Sequence, residues 1–321
     1  MAEPTVAAPR AGLSDLRASV LDYGVYLALG LVVVFNAAFT DNFLTIDSLR
    51  LQLIQVAPIV IVSLGMALVI GTEGIDLSVG AVMAIAAAVL PLYLGYGPWI
   101  AVAVALVACA VVGLLNGAMV GFLGIQPIVA TLGLLVAGRG IALVIAGGRL
   151  TEIFDPGLQE LGRGRIAGLP FTGLIALALT LAVAGVVRNT AFGRHLVAIG
   201  GNRRAAELAG LPVTRTLVVV YVVSAVLAGL AGVLETARSG ASNPSFVGLL
   251  VELSAITAVV VGGTPLTGGR IRILGTVAGA LLMQLIIATL IRQNLDPSYA
   301  RMVQAAIIVG AVYIQRSRGA A

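Results

Sequence analysis

Long apolar runs, interrupted by short segments rich in glycine, proline and charge, constrain this chain more than any other feature. Sixty per cent of its 321 residues are hydrophobic and only 10% are charged, and the mean hydropathy is +1.09. A soluble domain cannot bury so much apolar surface, whereas a membrane-spanning helix needs about 20 apolar residues. We therefore predict an all-α, polytopic integral membrane protein.

The chain has room for about ten transmembrane helices with short connections. Glycine and proline mark breaks between the runs, as in GYGP at 95–98, IQP at 125–127 and GGTPLTGG at 262–269. Some of these breaks predict broken or re-entrant helices. The predicted spans are residues 24–39, 51–70, 79–95, 98–120, 128–147, 171–188, 215–237, 252–263, 273–292 and 298–315.

The distribution of arginine predicts how the spans are oriented. With the N-terminus inside, eleven arginines fall on the inner side and seven on the outer side, and an excess of positive charge is typical of cytoplasmic loops. We therefore expect a cytoplasmic N-terminal tail over 1–22, a transmembrane domain over 23–316 and a cytoplasmic C-terminal tail over 317–321. The main outer, periplasmic loop is expected at 148–170. The inner arginines are Arg10, Arg17, Arg188, Arg194, Arg203, Arg204, Arg215, Arg270, Arg272, Arg316 and Arg318, and the outer ones are Arg50, Arg149, Arg163, Arg165, Arg238, Arg292 and Arg301.

All 19 basic residues other than the histidine are arginine, and the lack of lysine excludes two kinds of chemistry. A P-loop ATPase places a lysine on the nucleotide phosphates, and Schiff-base enzymes need a lysine amine. The single cysteine, Cys109, forms no intrachain disulfide, and the single histidine, His195, is too isolated for a metal cluster. We therefore expect no catalytic residues, no metal and no cofactor in this chain. Because positive cytoplasmic loops account for the net charge of +5, we expect no nucleic-acid partner.

A basic segment at 189–214, here called the coupling segment, lies between two apolar runs. Its central part reads GRHLVAIGGNRRAAELAGLPV and carries four basic side chains, counting the histidine, against one acidic side chain. It must therefore lie in water, and glycine and proline bound a short helix within it. Such a segment suits a membrane subunit that contacts a soluble, energy-supplying partner. The candidate contact residues are Arg194, His195, Asn202, Arg203, Arg204, Glu207, Gly210 and Pro212.

The segment GTEGIDLSVG at 71–80 is a polar break beside the membrane. Irregular backbone at that depth needs protein or water around it, which indicates a gate or a pathway element. Alternatively, Asp76 caps the following helix, where negative charge is favourable, and the two interpretations are compatible. A similar plan of apolar run, Gly-rich break and Gly/Ala-rich helix occurs at 65–89 and 256–282, and paired broken helices are typical of transporters. The alternative is chance similarity in a chain with 40 glycines.

Arg139 falls about 12 residues into the fifth predicted span, near the middle of the membrane. A charged side chain there is costly unless it faces a partner or a wet cavity, so it is a functional candidate by default. The candidate partners are Asn116, Gln126 or a carboxylate from one of the breaks. The alternative is a buried structural pair at a subunit contact.

Four segments resemble one family of membrane proteins. They are GIDLSVG (74–80), IQPIVATLGLLVAGRGIALVIAGG (125–148), FGRHLVAIGGNRRAAELAGLPV (192–213) and ELSAITAVVVGGTPLTGGR (252–270). In this order they resemble the sugar permeases of bacterial ABC importers, the branch for ribose, xylose, galactose and galactofuranose, which is related to the branched-chain amino acid permeases. The resemblance covers about 50–315, and the stretch from IQP to AGRG is most similar to the galactofuranose type.

The resemblance implies a complex in the bacterial inner membrane. Two permeases, identical or paralogous, would pair in the lipid bilayer with two cytoplasmic ABC ATPases, which bind the ATP and Mg²⁺. A periplasmic sugar-binding protein would deliver the solute to outer loops that include 148–170. The resemblance also implies that the coupling segment contacts the ATPase, and that the chain itself is a transporter subunit and not an enzyme.

A neutral sugar needs hydrogen-bonding groups along its pathway, not a ring of charge. The polar residues within or beside the predicted spans supply candidates for the pathway or its gate. One departure from the family is Glu73, where relatives usually have glycine, and this adds a carboxylate at the break. The candidates are Glu73, Asp76, Ser78, Asn116, Gln126, Thr131, Arg139 and Thr257, together with Gln284.

Three other functions are open alternatives. An ion-coupled secondary transporter needs carboxylates within the membrane, whereas Glu73, Asp76, Glu235 and Glu252 lie at predicted span ends. An ABC permease for branched-chain amino acids or another small polar solute would share most of these features. A membrane scaffold without transport activity has no evident need for repeated broken helices.

Overall fold

The computed structural model describes residues 13–293, 296, 298–299, 302–307 and 309–310. Within them, four two-residue strands, β1 (Thr151–Glu152), β2 (Arg165–Ile166), β3 (Leu169–Pro170) and β4 (Ala241–Ser242), form the antiparallel pairs β1–β4 and β2–β3. A short 3-10 turn covers Leu94–Tyr96, and residues 298–299, 302–307 and 309–310 are also helical. The helices are α1 (Leu13–Phe39), α2 (Ile46–Gly71), α3 (Val79–Tyr93), α4 (Pro98–Gly121), α5 (Pro127–Ile145), α6 (Pro156–Arg163), α7 (Phe171–Asn189), α8 (Ala191–Gly201), α9 (Arg203–Leu208), α10 (Val213–Ser239), α11 (Val251–Val261) and α12 (Ile273–Arg292).

These helices confirm a polytopic all-α membrane protein. Seven of them are long and apolar enough to cross a membrane, and the apolar stretches Tyr23–Phe39 and Val251–Val261 are shorter. They correspond to the first nine predicted spans, and a total of about ten remains compatible with them. The tenth predicted span, 298–315, is described only in part. The predicted tail 317–321 and most of the tail 1–22 lie outside the described residues, as do Arg10, Arg301, Arg316 and Arg318.

Helices α2, α3 and α10 form the centre of the bundle. At least two thirds of the apolar window of each is buried, against less than a quarter for α4, α5 and α7. Glycines allow α4 to approach α10 closely, since a Cβ at Gly113 would lie 2.7 Å from the backbone oxygen of Tyr221. A Cβ at Gly117 would lie 2.7 Å from the Cα of Val218. Small residues are typical of helix contacts in membranes, where packing replaces the hydrophobic effect as the source of association.

The loop predicted at 148–170 is folded against the end of α10. Its amphipathic helix α6 is capped by Asp155, whose carboxylate accepts the N–H of Leu158 at 2.9 Å. Arg163 donates to the carbonyl oxygen of Arg238 at 2.7 Å. Strand β1 pairs with β4, which follows the last residue of α10 by two positions. The end of the bundle that carries α6 is called the outer end below. The opposite end, which carries α8 and α9, is called the inner end.

Candidate functional site

Local backbone signals shape the coupling segment into two short helices. The side chain of Asn202 accepts the N–H of Ala205 at 2.9 Å and so begins α9. Gly210 has φ +76°, the left-handed conformation that ends a helix most easily as glycine. Pro212 directly precedes α10. Asn202, Gly210 and Pro212 therefore fix the geometry of the segment within this chain.

Apolar residues anchor the coupling segment, and its charged residues face outwards. Leu196 and Ile199 lie on the inward face of α8 and are fully buried. Arg203 and Arg204 both pair with Glu207, at 3.3 and 3.5 Å, and all three side chains are exposed. Arg194 is also exposed, His195 is half-buried, and Leu208 leaves 76% of its surface accessible. An exposed leucine among arginines suits contact with a soluble protein.

Three glycines join the coupling segment to the membrane helices. The N–H of Gly269 donates to the carbonyl oxygen of Gly71 at 3.1 Å. Gly200, near the end of α8, lies against both, and a Cβ there would overlap the Gly71 carbonyl. Gly71 ends α2 directly before the first break, residues 72–78, and Gly269 lies in the second break, residues 262–272. This three-glycine junction therefore connects the surface helix directly to both broken elements.

A buried carboxylate organises the first break, residues 72–78. Asp76 is 1% exposed, and its Oδ1 accepts the N–H of Ser78 at 3.0 Å and the hydroxyl of Ser78 at 2.6 Å. Its Oδ2 accepts the hydroxyl of Ser224, from α10, at 2.9 Å. Asn116, from α4, donates to the Ser78 hydroxyl at 2.8 Å. Asp76 thus caps the backbone just before α3 and ties the break to α4 and α10.

Two further candidates lie beside the same break in different surroundings. The buried hydroxyl of Thr131 lies 3.2 Å from the carbonyl oxygen of Ile75 and 2.8 Å from that of Pro127. Glu73 is exposed and has φ +65°. Glycine adopts this left-handed conformation without strain, whereas a side chain such as that of glutamate makes it costly. Its carboxylate lies away from the Asp76 network, on the surface near the three-glycine junction.

Arg139 binds backbone carbonyls on a segment that enters the bundle from the outer end. Its guanidinium donates to the carbonyl oxygens of Gly248 at 2.6 Å, Val247 at 2.8 Å and Pro244 at 3.1 Å. Gly248 in turn packs against Met83 of α3. Residues 243–250, here called the re-entrant segment, therefore turn back into the bundle, and α11 begins inside the bundle beside α3. The hydrogen bonds of Arg139 do not go to Asn116 or Gln126, the two uncharged partners proposed from sequence.

Two carboxylates surround this arginine. Arg139 interacts electrostatically with Glu252 and Glu235. Glu252 is 6% exposed, and its Oε2 has no hydrogen-bond partner within the described residues. A Cβ at Gly80 would overlap that oxygen. Glu252 lies near the start of its helix as the sequence indicates, but the re-entrant segment places that start inside the bundle.

A row of polar side chains, here called the polar seam, runs between α2 and α12. Ser48, Gln52 and Gln55 recur at the spacing of one helix face. Arg292 donates to the Ser48 hydroxyl at 2.7 Å, and Gln284 donates to Gln55 at 2.8 Å. Gln52 is 8% exposed, and its buried carbonyl oxygen has no partner within the described residues. Of the seam, the sequence suggested only Gln284, although the spacing of Ser48, Gln52 and Gln55 could have indicated the rest.

The structure brings only some of the predicted pathway candidates together. Asp76, Ser78 and Asn116 form one network, which also contains Ser224, a residue that sequence reasoning missed. Gln126 is exposed at the start of α5. Thr257 is buried and donates to the carbonyl of Leu253 in its own helix at 2.6 Å.

Comparisons with known proteins agree on one family. Residues 49–312 match the family described as branched-chain amino acid transport system / permease component. The chain is 38% identical to the galactofuranose transporter permease protein of Escherichia coli (strain K12), over 82% of this chain and 78% of that protein. It is 35% identical to the fructose import permease protein of Bifidobacterium longum (strain NCC 2705), over 91% of this chain and 86% of that protein.

A third relative, the ribose import permease protein of Escherichia coli (strain K12), is 34% identical over 94% of this chain and 96% of its own length. No solved structure shows a significant match. The family match spans both breaks, Arg139 and the whole coupling segment. This chain therefore belongs to the family of branched-chain amino acid transport system / permease components.

Proposed function

We propose that this chain is the membrane-spanning permease of an ABC importer and carries a monosaccharide into the cytoplasm. Relatives that align with most of its length are named as galactofuranose, fructose and ribose permeases. The three-glycine junction carries the proposal, because it joins a water-exposed charged helix to both breaks of the membrane domain. A chain built in this way transmits movement from a soluble partner.

The energy comes from a cytoplasmic ABC ATPase that binds ATP and Mg²⁺. The absence of lysine from this chain supports the assignment of ATP hydrolysis to a partner subunit, since a P-loop needs a lysine. The ATPase contacts the exposed face of α8 and α9, where Arg194, Arg203 and Arg204 are accessible. Closure of the ATPases pushes α8 against Gly71 and Gly269, and so shifts the end of α2 and the loop before α12 together.

The polar seam supplies the hydrogen-bonding groups that the sugar contacts. Gln52 presents a buried carbonyl oxygen without a partner within the described residues, and such a group needs a donor. A sugar hydroxyl is one such donor. The Gln55–Gln284 pair lies one turn deeper along α2 and offers both donors and acceptors once it separates.

Partners on the outer side and in the membrane complete the system. A periplasmic sugar-binding protein docks on the outer end, where α6 and the strands β1 to β4 form a folded surface and not a loose loop. A second permease, identical or paralogous, pairs with this chain in the bacterial inner membrane. Both termini face the cytoplasm, in agreement with the excess of arginine at the inner end.

The decisive experiment is reconstitution in vesicles with the cognate ATPase and binding protein. We expect sugar-loaded binding protein to stimulate ATP hydrolysis with the wild-type permease. The double charge reversal Arg203→Glu/Arg204→Glu should abolish stimulation, because it reverses the charge of the surface proposed to contact the ATPase and breaks both pairs with Glu207. Arg215→Glu, another exposed arginine at the inner end but outside the coupling segment, is the matched control. If no complex or stimulation forms with any cognate ATPase, the ABC assignment is wrong.

One observation favours a second candidate, an ion-coupled secondary transporter. Glu252 is buried beside Arg139 within the membrane, whereas the sequence suggested that carboxylates lie only at span ends. Such a group is typical of ion and proton pathways. Uptake that persists without ATP and stops with a proton uncoupler would favour this candidate over the ABC permease.

A further inference from the structure

A cavity of about 490 Å³ opens at the inner end between α1, α7 and the start of α12. Arg188, in the last turn of α7, and Arg272, directly before α12, both line it. None of its ten described lining residues is acidic. The cavity therefore concentrates positive charge where three helices leave the apolar part of the bundle.

The Arg188 guanidinium can bind an anion, and Arg272 adds a second positive charge to the cavity. Arg188 is exposed and makes no hydrogen bond or ion pair with the described residues. The side chain of Arg272 lies against Gly263, and Arg272 also lines the cavity. A guanidinium has five N–H donors in a fixed fork, and those of Arg188 have no partner among the described residues. Arginine binds phosphate oxygens in this forked geometry.

The remaining walls indicate the depth of the cavity in the membrane. Tyr23 and Tyr26 lie at the start of the apolar part of α1, are 68% and 43% exposed, and have ring centroids 6.3 Å apart. Tyrosine is enriched at the level of the lipid headgroups. Two apolar side chains, Val187 of α7 and Leu274 of α12, also line the cavity, and Leu274 is 65% exposed. The cavity is thus basic at its inner end and apolar towards the membrane.

We propose that this cavity binds the phosphate headgroup of an anionic phospholipid from the inner leaflet. Arg188 binds the phosphate, the positive charge of Arg272 adds to the attraction, and the two tyrosines lie at headgroup level. The acyl chains follow the apolar wall formed by Val187 and Leu274. Basic pockets between helices on the cytoplasmic side bind anionic headgroups in this way. A free phosphate would satisfy the arginines but would leave the apolar wall without a partner. The bound lipid would bridge α1, α7 and α12 close to the coupling segment.

The test titrates the purified full chain in detergent with phosphatidylglycerol or phosphatidylcholine and counts bound lipids by native mass spectrometry. Wild type should prefer phosphatidylglycerol. Arg188→Gln should weaken that binding about fivefold, the equivalent of about 1 kcal/mol for one arginine near a charged membrane surface. The double variant Arg188→Gln/Arg272→Gln should weaken it further. Arg215→Gln, which removes an exposed arginine outside the cavity, should bind as wild type does.

Three outcomes would overturn the proposal. They are equal binding of the two lipids, wild-type binding by Arg188→Gln, and an equal loss of binding in Arg215→Gln. Inorganic phosphate at millimolar concentration should not displace phosphatidylglycerol. Displacement would show that the arginines alone determine binding and that the apolar wall contributes nothing, which would contradict a lipid site. Because Arg188 has no partner within the described residues, its substitution should leave the melting temperature unchanged, so a loss of binding would not reflect unfolding.

Discussion

Arg139 donates a 2.6 Å hydrogen bond to the carbonyl oxygen of Gly248, and so a charged side chain of α5 holds the backbone turn that begins α11. A re-entrant segment exposes carbonyls that no regular helix satisfies, and within the membrane these need internal partners. One guanidinium supplies three of them, at Pro244, Val247 and Gly248. Arg139 therefore has a structural role, because it stabilises the segment before α11. That role is compatible with a function in transport, since broken helices are typical of transport pathways.

Arg139→Leu should abolish transport and lower the stability of the permease. It removes three hydrogen bonds from a charged donor and leaves buried carbonyls unpaired, at a cost of at least about 3 kcal/mol. Arg139→Lys keeps the positive charge but loses the planar guanidinium, which reaches several carbonyls at once. This variant should therefore retain part of the stability and little transport. Uptake into vesicles and the melting temperature in detergent measure the two effects. Wild-type uptake by a normally assembled Arg139→Leu variant would contradict this role.

Gly200→Ala should uncouple ATP hydrolysis from transport. Its methyl group would overlap the carbonyl of Gly71 and crowd the N–H of Gly269, so α8 would move away from the three-glycine junction. Gly201→Ala is the matched control, because nothing lies within 4 Å of a Cβ at that neighbouring position. Sugar-stimulated ATPase activity of the reconstituted complex measures the effect. Equal stimulation with both variants would show that the junction does not transmit movement.

Glu73→Gly should stabilise the permease relative to Glu73→Ala. Both substitutions remove the carboxylate, but only glycine relieves the positive φ of this position, which costs an L-residue about 1 kcal/mol. The greater freedom of glycine in the unfolded chain offsets part of this gain. Thermal unfolding in detergent compares the two variants directly. If Glu73→Ala unfolds at the higher temperature, the backbone strain at this residue is negligible.

The double variant Gln55→Leu/Gln284→Leu should impair transport without preventing assembly. It replaces both members of a partly buried pair with side chains of similar size, and replacing both partners of a hydrogen bond is often nearly neutral for stability. The sugar, however, would lose polar contacts, so the KM for uptake should rise about tenfold or more, as for a lost hydrogen bond of about 1.5 kcal/mol. Gln126→Leu, which alters an exposed amide away from the polar seam, should leave uptake unchanged. Impaired uptake by Gln126→Leu together with normal uptake by Gln55→Leu/Gln284→Leu would contradict the polar seam as the pathway and would favour Gln126 instead.

Hydropathy was sufficient to predict the helical architecture, because spanning helices must be long, apolar and internally hydrogen-bonded. It could not predict that α1 begins at Leu13, since a helix can continue beyond the apolar part that the membrane requires. The four short strands at the outer end were also missed. Two-residue strands have no periodicity in sequence, and the pairing of Thr151 with Ser242 depends on how the loops meet in space.

The candidate site was predictable only in its local chemistry. The sequence showed that Asp76 and Ser78 lie in a polar break, but not that Ser224 of α10 completes the network. It showed that Arg139 needs a partner, but neutral backbone carbonyls have no signature in a sequence. The roles proposed for the coupling segment, the pathway candidates and the domain bounds remain predictions that the experiments above address.

The sequence by itself determined that this chain is a polytopic all-α membrane protein and where its long apolar helices run, because those properties follow from local composition and the cost of burying charge. Only the tertiary structure decided which groups meet. Gly71, Gly200 and Gly269 come together because backbones can approach closely only where side chains are absent, and Arg139 reaches Gly248 because the chain turns back into the bundle. Such contacts join residues far apart in the sequence, and their energy depends on distances that no local pattern contains.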